Sequence, residues 1–221
     1  MRVGVLCSGR GSNLRAILEA RGRGEIPGAE FVCIVSDVAG AGCLDIAGAH
    51  GVASAVVPSR DFRGDRPGFE RRLLETLASF GAELTVLAGF QRVLGKAFLG
   101  GFPGRVMNIH PALLPSFPGH EVWGRETAHG VKLAGATVHF VDEGVDSGPI
   151  ICQGAVPVLD TDDADALSAR ILTVEHRIYP AAVAWVTSGR VRLQGRRVAL
   201  DGFAPSGEAA AARLVWPPLD A

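Results

Sequence analysis

An asparagine and a histidine stand two residues apart in a segment whose composition is typical of a buried strand. The segment covers residues 106–111 and reads Val-Met-Asn-Ile-His-Pro. Because strand side chains alternate between faces, Asn108 and His110 point to one side, while Met107 and Ile109 pack on the other. An amide can donate a hydrogen bond, and an imidazole can donate one or move a proton. The pair therefore suits a reaction that places negative charge on an oxygen.

The proline that follows indicates where these side chains lie in the fold. Pro111 cannot donate to a sheet ladder and keeps His110 out of helical geometry, so we expect the strand to end there. In open α/β sheets, ligands bind beyond the carboxyl ends of the strands. Taken alone, the segment also fits a polar strand end whose side chains only cap nearby backbone, so the interpretation depends on the rest of the chain.

A glycine turn near the N-terminus predicts a phosphate site. Residues 2–7 form an apolar run of strand length, residues 8–13 read Ser-Gly-Arg-Gly-Ser-Asn, and residues 14–20 have helical spacing. In such a unit the first helical amides face a ligand, and Gly9 and Gly11 let an anion approach closely. We expect Ser12 or Asn13 to cap the helix. Leu14 stands where a dinucleotide fingerprint needs glycine, so we expect one phosphate and no dinucleotide, unless the turn only joins strand to helix.

The spacing of apolar residues predicts strands that alternate with helices. In the N-terminal half we expect strands at 2–7, 30–36, 52–58, 84–88 and 105–110, and helices at 14–20, 43–50 and 68–80. This alternation is typical of an α/β fold with a doubly wound, mainly parallel sheet. The loops after the first, fourth and fifth strands would then form one ligand crevice.

The C-terminal half predicts antiparallel additions to this sheet. Strands at 135–141 and 150–158 flank an acidic loop, and such a pair extends a sheet in the antiparallel sense. We also expect a short helix at 126–131, a long helix to about residue 187 that Thr161 or Asp162 caps, and a hairpin of 190–193 with 196–200. Residues 1–221 are interpreted as one domain with a loosely ordered tail from about residue 204.

The composition is that of an ordinary globular protein and narrows the classes of partner. The chain has 221 residues, of which 48% are hydrophobic and 20% are charged, and its formal net charge is -1. Without a basic stripe or many aromatic residues, small-molecule substrates are expected rather than nucleic acid. No apolar run reaches the roughly 18 residues of a membrane span. The four cysteines lack Cys-x-x-Cys spacing, so we expect a cytoplasmic protein with buried thiols. The sequence does not decide whether the protein forms a homodimer.

Two groups of basic residues could bind anions or metals. Three arginines precede the third predicted helix: Arg60, Arg63 and Arg66. Such a run is typical of a solvated face, and the alternative is a contact for an anionic ligand tail. Three histidines lie elsewhere: His120, His129 and His139. Because they lack the spacing of metal ligands, we interpret them as polar residues of loops or the sheet and expect no metal.

Three separated segments carry a resemblance to a known family. They are residues 8–14 (Ser-Gly-Arg-Gly-Ser-Asn-Leu), 108–115 (Asn-Ile-His-Pro-Ala-Leu-Leu-Pro) and 145–151 (Val-Asp-Ser-Gly-Pro-Ile-Ile). Together, and in this order, they resemble the folate-dependent phosphoribosylglycinamide formyltransferase family. The Asn-Ile-His-Pro and Asp-x-Gly-Pro-Ile pair marks the wider superfamily that uses 10-formyltetrahydrofolate, whereas the glycine turn and the overall length single out the glycinamide ribonucleotide branch. The likeness extends from Met1 to about Gly202.

The resemblance implies a Rossmann-like formyltransferase fold and an activity. The activity would be transfer of a formyl group from 10-formyltetrahydrofolate, a co-substrate, to the amine of glycinamide ribonucleotide in purine biosynthesis. By that likeness the catalytic residues are Asn108, His110 and Asp146. The implied ribonucleotide contacts are Gly11, Ser12, Asn13, Pro111 and Glu175. The implied folate contacts are Arg66, Gln91, Arg92, Val93, Leu94, Val141, Asp142, Glu143, Gly144 and Val145.

The chemistry of these residues agrees with the implied roles. When the amine attacks the formyl carbon, the carbonyl oxygen becomes an oxyanion, which Asn108 and a cationic His110 could stabilise. A carboxylate at Asp146 beside His110 would favour the imidazolium form. Residues 120–127 depart from the family pattern, in which we expect a more helical, alanine-rich segment. Because this segment borders the crevice, the departure concerns the fit of the substrate more than the chemistry.

Three other functions remain open at the level of sequence. A related folate-dependent enzyme could formylate another amine, such as that of a sugar nucleotide or a tRNA-bound methionine, although no basic surface favours the tRNA. A deformylase would hydrolyse the same folate, but its relatives carry an N-terminal regulatory domain, and here the first predicted strand starts at Arg2. A protein that only binds folate or nucleotide would not require a charged partner for His110.

Overall fold

The computed structural model describes residues 1–202, and the tail predicted from residue 204 lies outside them. The strands of the main sheet are β1 (Arg2–Cys7), β2 (Glu30–Ser36), β3 (Ser54–Val56), β4 (Leu84–Leu87), β5 (Val106–His110), β6 (Leu133–Phe140) and β7 (Ile150–Pro157). Their order across the sheet is β3-β2-β1-β4-β5-β6-β7. Strands β1 to β5 are parallel, whereas β6 runs antiparallel to β5 and β7 to β6. The predicted mainly parallel sheet with antiparallel additions is confirmed.

Helices cover both faces of this sheet. They are α1 (Ser12–Gly22), α2 (Gly42–Ala49), α3 (Arg66–Ser79), α4 (Lys96–Gly101), α5 (Val122–His129) and α6 (Ala164–Thr187). Alternation along β1 feeds two cores: Val3 and Val5 pack with residues of α1, α2 and α6, while Leu6 packs with residues of α3 and α4. A short 3-10 turn (Ser59–Phe62) precedes α3, and β8 (Val191–Gln194) pairs with β9 (Arg197–Leu200) as the predicted hairpin.

Several predicted boundaries are wrong. Gly11, not Ser12 or Asn13, is the N-cap of α1, because it adopts a left-handed φ of 77° and Ser12 is already helical. Helix α6 is capped by Asp163, whose carboxylate accepts from the Ala166 amide at 2.8 Å, rather than by Thr161 or Asp162.

The fifth helix also differs from its prediction. It occupies Val122–His129 rather than residues 126–131. Gly124 disfavours a helix, but burial of Val122 against the rest of the protein favours one. Strand β3 is shorter than predicted, and the six-residue α4 was not predicted because two of its residues are glycines.

Among residues 1–202, no helix has both the length and the apolar character that crossing a bilayer requires.

Candidate active site

A cleft opens where the carboxyl ends of β1, β4 and β5 meet, as the sequence predicted. Its volume is about 480 Å³, and the loops after these three strands line it. The Ser8 hydroxyl accepts a hydrogen bond from the Gln91 amide at 2.9 Å, and the Ser8 amide donates to the Gly89 carbonyl at 3.1 Å. These two bonds hold the loop after β1 against the loop after β4.

Asn108 and His110 both face this cleft. Their neighbours Met107 and Ile109 pack into the core on the other face of the sheet, as strand alternation requires. The His110 ring lies between two acceptors: Nδ1 is 3.3 Å from Oδ2 of Asp146, and Nε2 is 2.9 Å from the carbonyl oxygen of Phe117. A carboxylate oxygen and a backbone carbonyl oxygen therefore face the two nitrogens of the ring.

Asp146 reaches His110 from the acidic loop between β6 and β7. Its backbone has a φ of 50°, a left-handed conformation that non-glycine residues seldom adopt. Its Oδ2 also accepts a hydrogen bond from the Gly119 amide at 2.9 Å, so the carboxylate is held from two sides. The structure thus brings together the amide, the imidazole and the carboxylate that the sequence analysis selected.

A second histidine joins this group, and the sequence analysis missed it. His139 was interpreted only as a polar sheet residue; it does lie in β6, but antiparallel register sets it opposite Asn108. Its Nδ1 is 2.9 Å from the Phe140 carbonyl, which needs a donor, so Nε2 is free to accept from the Asn108 amide at 3.3 Å. Burial lowers the pKa of His139, in agreement with a neutral ring. The sequence shows a histidine within an alternating strand, but it does not show the register between β5 and β6 that sets this histidine opposite Asn108.

The other end of the cleft lies at the first turn of α1. Ser12, Asn13, Pro111 and Glu175 line it, whereas Gly11, the N-cap of α1, does not. Oε2 of Glu175 accepts a hydrogen bond from Nδ2 of Asn13 at 2.7 Å. Burial raises the pKa of Glu175, and this hydrogen bond opposes the shift.

Most of the predicted folate contacts line the same cleft. Those that do are Gln91, Arg92, Val93, Leu94, Val141, Gly144 and Val145. Asp142 and Glu143 do not: Asp142 accepts from the Ser147 hydroxyl at 2.6 Å, and Glu143 lies 3.7 Å from the ammonium of Lys96. Arg66 lies in a neighbouring cavity instead.

That neighbouring cavity is rich in arginine. It has a volume of about 490 Å³, shares Arg92 and Val93 with the cleft, and is also lined by Arg60, Arg63 and Arg66. Two of its cations are anchored by buried carboxylates, since Arg92 Nε is 2.9 Å from Asp37 and Arg66 Nε is 2.7 Å from Glu70. The three arginines are therefore exposed, as expected for a solvated face. They also adjoin the cleft, as a contact for an anionic ligand tail would require.

Within the described part of the chain, no group of three or more His, Cys, Asp or Glu side chains is arranged to hold a metal ion. His120 is exposed at the rim of the cleft. His129 packs edge-on against the Phe117 ring at a centroid distance of 5.7 Å.

Comparison with known proteins places the chain in a family. Residues 1–183 match the family described as formyl transferase. The chain belongs to the formyl transferase family. Over 212 residues, which are 95% of this chain and 99% of the relative, it is 37% identical to phosphoribosylglycinamide formyltransferase of Escherichia coli. It is 40% identical to the protein of that name from Mycobacterium tuberculosis, covering 90% of this chain and 94% of the relative.

A solved structure gives the same result for the fold. The formyl transferase chain superimposes on glycinamide ribonucleotide transformylase 1 from Symbiobacterium toebii with a TM-score of 0.87 and 46% identity, covering 90% of this chain and 93% of that one. Asn108, His110, His139 and Asp146 all fall within the residues that match the family.

Proposed function

We propose that this protein transfers the formyl group of 10-formyltetrahydrofolate to the amine of glycinamide ribonucleotide, a step of purine biosynthesis. The observation that carries the proposal is the meeting of Asn108, His110 and Asp146 in one cleft with the glycine turn of α1. The names of the relatives from Escherichia coli and Mycobacterium tuberculosis support the choice of acceptor. The four free thiols fit a reducing compartment and support a cytoplasmic location.

In the proposed reaction the amine nitrogen bonds to the formyl carbon, and the formyl oxygen takes the electron pair. The Asn108 amide has two hydrogens, of which His139 accepts one, so the other is available to this oxyanion. His110 would supply a second, charged donor once its Nε2 leaves or shares the Phe117 carbonyl. The oxyanion then collapses, the bond from the formyl carbon to folate N10 breaks, and one proton passes from the amine to N10. We assign that proton transfer to the pair of His110 and Asp146.

The two ends of the cleft suit the two substrates. The ribonucleotide would lie against Ser12, Asn13, Pro111 and Glu175, with its phosphate at the start of α1, where backbone amides and the helix dipole favour an anion. The folate would lie along the segment 91–94 and the loop 141–145, where Val93, Leu94 and Val141 supply apolar surface. Its anionic tail would enter the cavity that contains Arg66.

A direct assay tests this proposal. The purified protein is mixed with both substrates, and the folate absorbance is followed. We expect transfer by the unchanged protein and a loss of about 10²-fold or more in kcat for His110→Ala. His50→Ala, outside the cleft at the end of α2, is the matched control and should retain full activity.

Other outcomes would select another function. Full activity of His110→Ala would remove the mechanism. Tight folate binding with a flat trace would favour a binding protein, whereas folate hydrolysis without an amine would favour a deformylase. Activity only with a sugar nucleotide or a methionyl-tRNA would change the acceptor and keep the chemistry.

A further inference from the structure

We propose that the side chain of Arg10 binds the phosphate of the ribonucleotide and makes the enzyme selective for the phosphorylated substrate. This inference rests on the proposed function, and it assigns a role to a residue that the sequence analysis did not select. It starts from the turn between β1 and α1, where Arg10 stands between Gly9 and Gly11 and lines the cleft with an exposed side chain.

The backbone of this turn is fixed from below by α2. The Cys43 amide donates to the Gly9 carbonyl at 3.1 Å. A Cβ on Gly42 would stand only 3.4 Å from the Arg10 carbonyl oxygen, and one on Gly11 would stand 2.9 Å from the Cβ of Cys43. Because α2 occupies the space beneath the turn, the Arg10 side chain has the cleft as its open side.

A buried polar atom at this end of the cleft is available to bind a ligand. Asn13 is 9% exposed, and its Nδ2 is bound to Glu175, but within residues 1–202 its buried Oδ1 has no hydrogen-bond partner. A buried carbonyl oxygen without a partner is costly unless a ligand or water supplies a donor. A hydroxyl of the ribose would supply one, and the adjoining first turn of α1 would then face the phosphate.

The charge balance at this end favours a cation. A phosphate monoester carries about -1.5 to -2 charges near neutral pH, whereas a helix N-terminus offers only about half a positive charge. Helix α6 contributes Ser168, Leu172 and Glu175 to the wall, none of which is cationic. Of the described residues that the α1 turn and α6 give to the cleft, Arg10 alone carries a positive charge.

The Arg10 guanidinium is also unoccupied. Within residues 1–202 its side chain makes no hydrogen bond or ion pair, unlike Arg92 at the other end of the cleft, which is bound to Asp37. A guanidinium presents paired N–H donors that match phosphate oxygens, so Arg10 can bind the phosphate with both hydrogen bonds and charge.

The test compares Arg10→Gln and Arg10→Lys with Arg15→Gln. Arg15 lies in α1, just after the turn that carries Arg10, and is exposed, but it does not line the cleft, so its substitution removes the same charge elsewhere. For Arg10→Gln we expect the KM for glycinamide ribonucleotide to rise about 10- to 100-fold, with kcat and the KM for the folate within about twofold. Arg10→Lys should recover part of the loss, and Arg15→Gln should match the unchanged protein.

Two further measurements identify the phosphate as the group that is bound. With glycinamide ribonucleoside, which lacks the phosphate, the unchanged protein and Arg10→Gln should react equally. Titration with ribose 5-phosphate should show weaker binding by Arg10→Gln by the same factor. An unchanged KM in Arg10→Gln, or an equal loss with the ribonucleoside, would overturn the inference.

The same measurements separate this inference from the proposed function. If the unchanged protein transfers no formyl group but binds ribose 5-phosphate in an Arg10-dependent way, the proposed reaction fails and the phosphate role stands. If transfer occurs and Arg10→Gln behaves as the unchanged protein in every assay, only the role of Arg10 fails.

Discussion

The His110 ring is held by acceptors on both sides, and each contact explains part of its proposed role. Asp146 lies 3.3 Å from Nδ1, so its carboxylate is beside the ring to which we assign the proton transfer. The carbonyl oxygen of Phe117 lies 2.9 Å from Nε2, and this contact holds Nε2 on the cleft side of β5. Asn108 is oriented in the same way by His139, because a neutral ring accepts one of the two amide hydrogens. Each proposed oxyanion donor therefore has a partner that fixes its direction.

Asp146→Asn tests the charge of the carboxylate without changing its shape. An asparagine can still accept from the Gly119 amide, so we expect a melting temperature close to that of the unchanged protein. Because the imidazolium loses its counter-charge, we expect kcat to fall about 10²-fold or more. Steady-state kinetics and thermal unfolding measure the two effects.

The control for this substitution is Asp160→Asn. Asp160 is exposed, pairs with Lys132 at 2.6 Å and lies outside the cleft, so its variant should keep full activity. Equal kcat values for Asp146→Asn and the unchanged protein would contradict the role of the charge.

Among the elements, the start of α1 has a constrained backbone near the site. The helix begins after Gly11, whose left-handed φ leaves the first helical amides directed towards the cleft. The same glycine packs on Cys43 in α2, so the turn has no room for a side chain. A second glycine, Gly24, lies just beyond the other end of α1 with a φ of 78°, but no atom lies within 4 Å of the Cβ that it lacks.

Comparing Gly11→Ala with Gly24→Ala separates close packing from backbone strain. Both substitutions force an alanine into a left-handed conformation, which costs about 1 to 2 kcal/mol. Only Gly11→Ala also displaces α2, so we expect a larger loss in the free energy of unfolding and a raised KM for the ribonucleotide. Urea unfolding and kinetics check this. Equal stabilities and equal KM values for the two variants would show that the turn tolerates a side chain.

On the scale of the whole molecule, helix α6 ties the site to the sheet. The hydroxyl of Tyr179, a fully buried residue, lies 2.8 Å from the Leu87 carbonyl in β4 and 3.3 Å from the Met107 carbonyl in β5. One turn earlier the same helix places Glu175 in the cleft. The cleft is therefore formed jointly by strand ends and by a helix that comes late in the chain.

Buried acid groups also make the stability of the whole molecule depend on pH. Glu126 in α5 is 1% exposed, and burial raises its pKa from 4.5 to about 7. The folded state thus holds this proton more tightly than the unfolded state does, so the contribution of Glu126 to stability decreases as pH rises from about 4.5 through about 7.

Glu126→Gln should remove this dependence, because glutamine stays neutral. At pH 8 we expect the variant to be more stable than the unchanged protein by roughly 1 to 3 kcal/mol, and at pH 4 the two should differ little. Urea unfolding at both pH values measures the difference. Glu75→Gln, an exposed site on α3, is the control, and a difference that is the same at both pH values would rule out this cause.

The sequence alone determined those features that depend on neighbours along the chain. Strand alternation sets Asn108 and His110 on one face, Pro111 ends the strand, and the order of strands and helices fixes the fold class. These follow from side-chain geometry within a few residues, which local patterns express directly. The first residues of α1 and α6 were predicted wrongly, since the N-caps are Gly11 and Asp163. Several adjacent residues could adopt the backbone angles of an N-cap, so the sequence did not distinguish between them.

Tertiary structure alone decided which distant residues meet. The register between β5 and β6 sets His139 opposite Asn108, and shifting it by one residue would turn that ring to the other face of the sheet. The left-handed backbone of Asp146 aims its carboxylate at His110, and no local pattern in an acidic loop specifies that direction. Such contacts depend on packing energies summed over the whole sheet. The sequence therefore indicated which side chains take part in the site, but not how they are arranged.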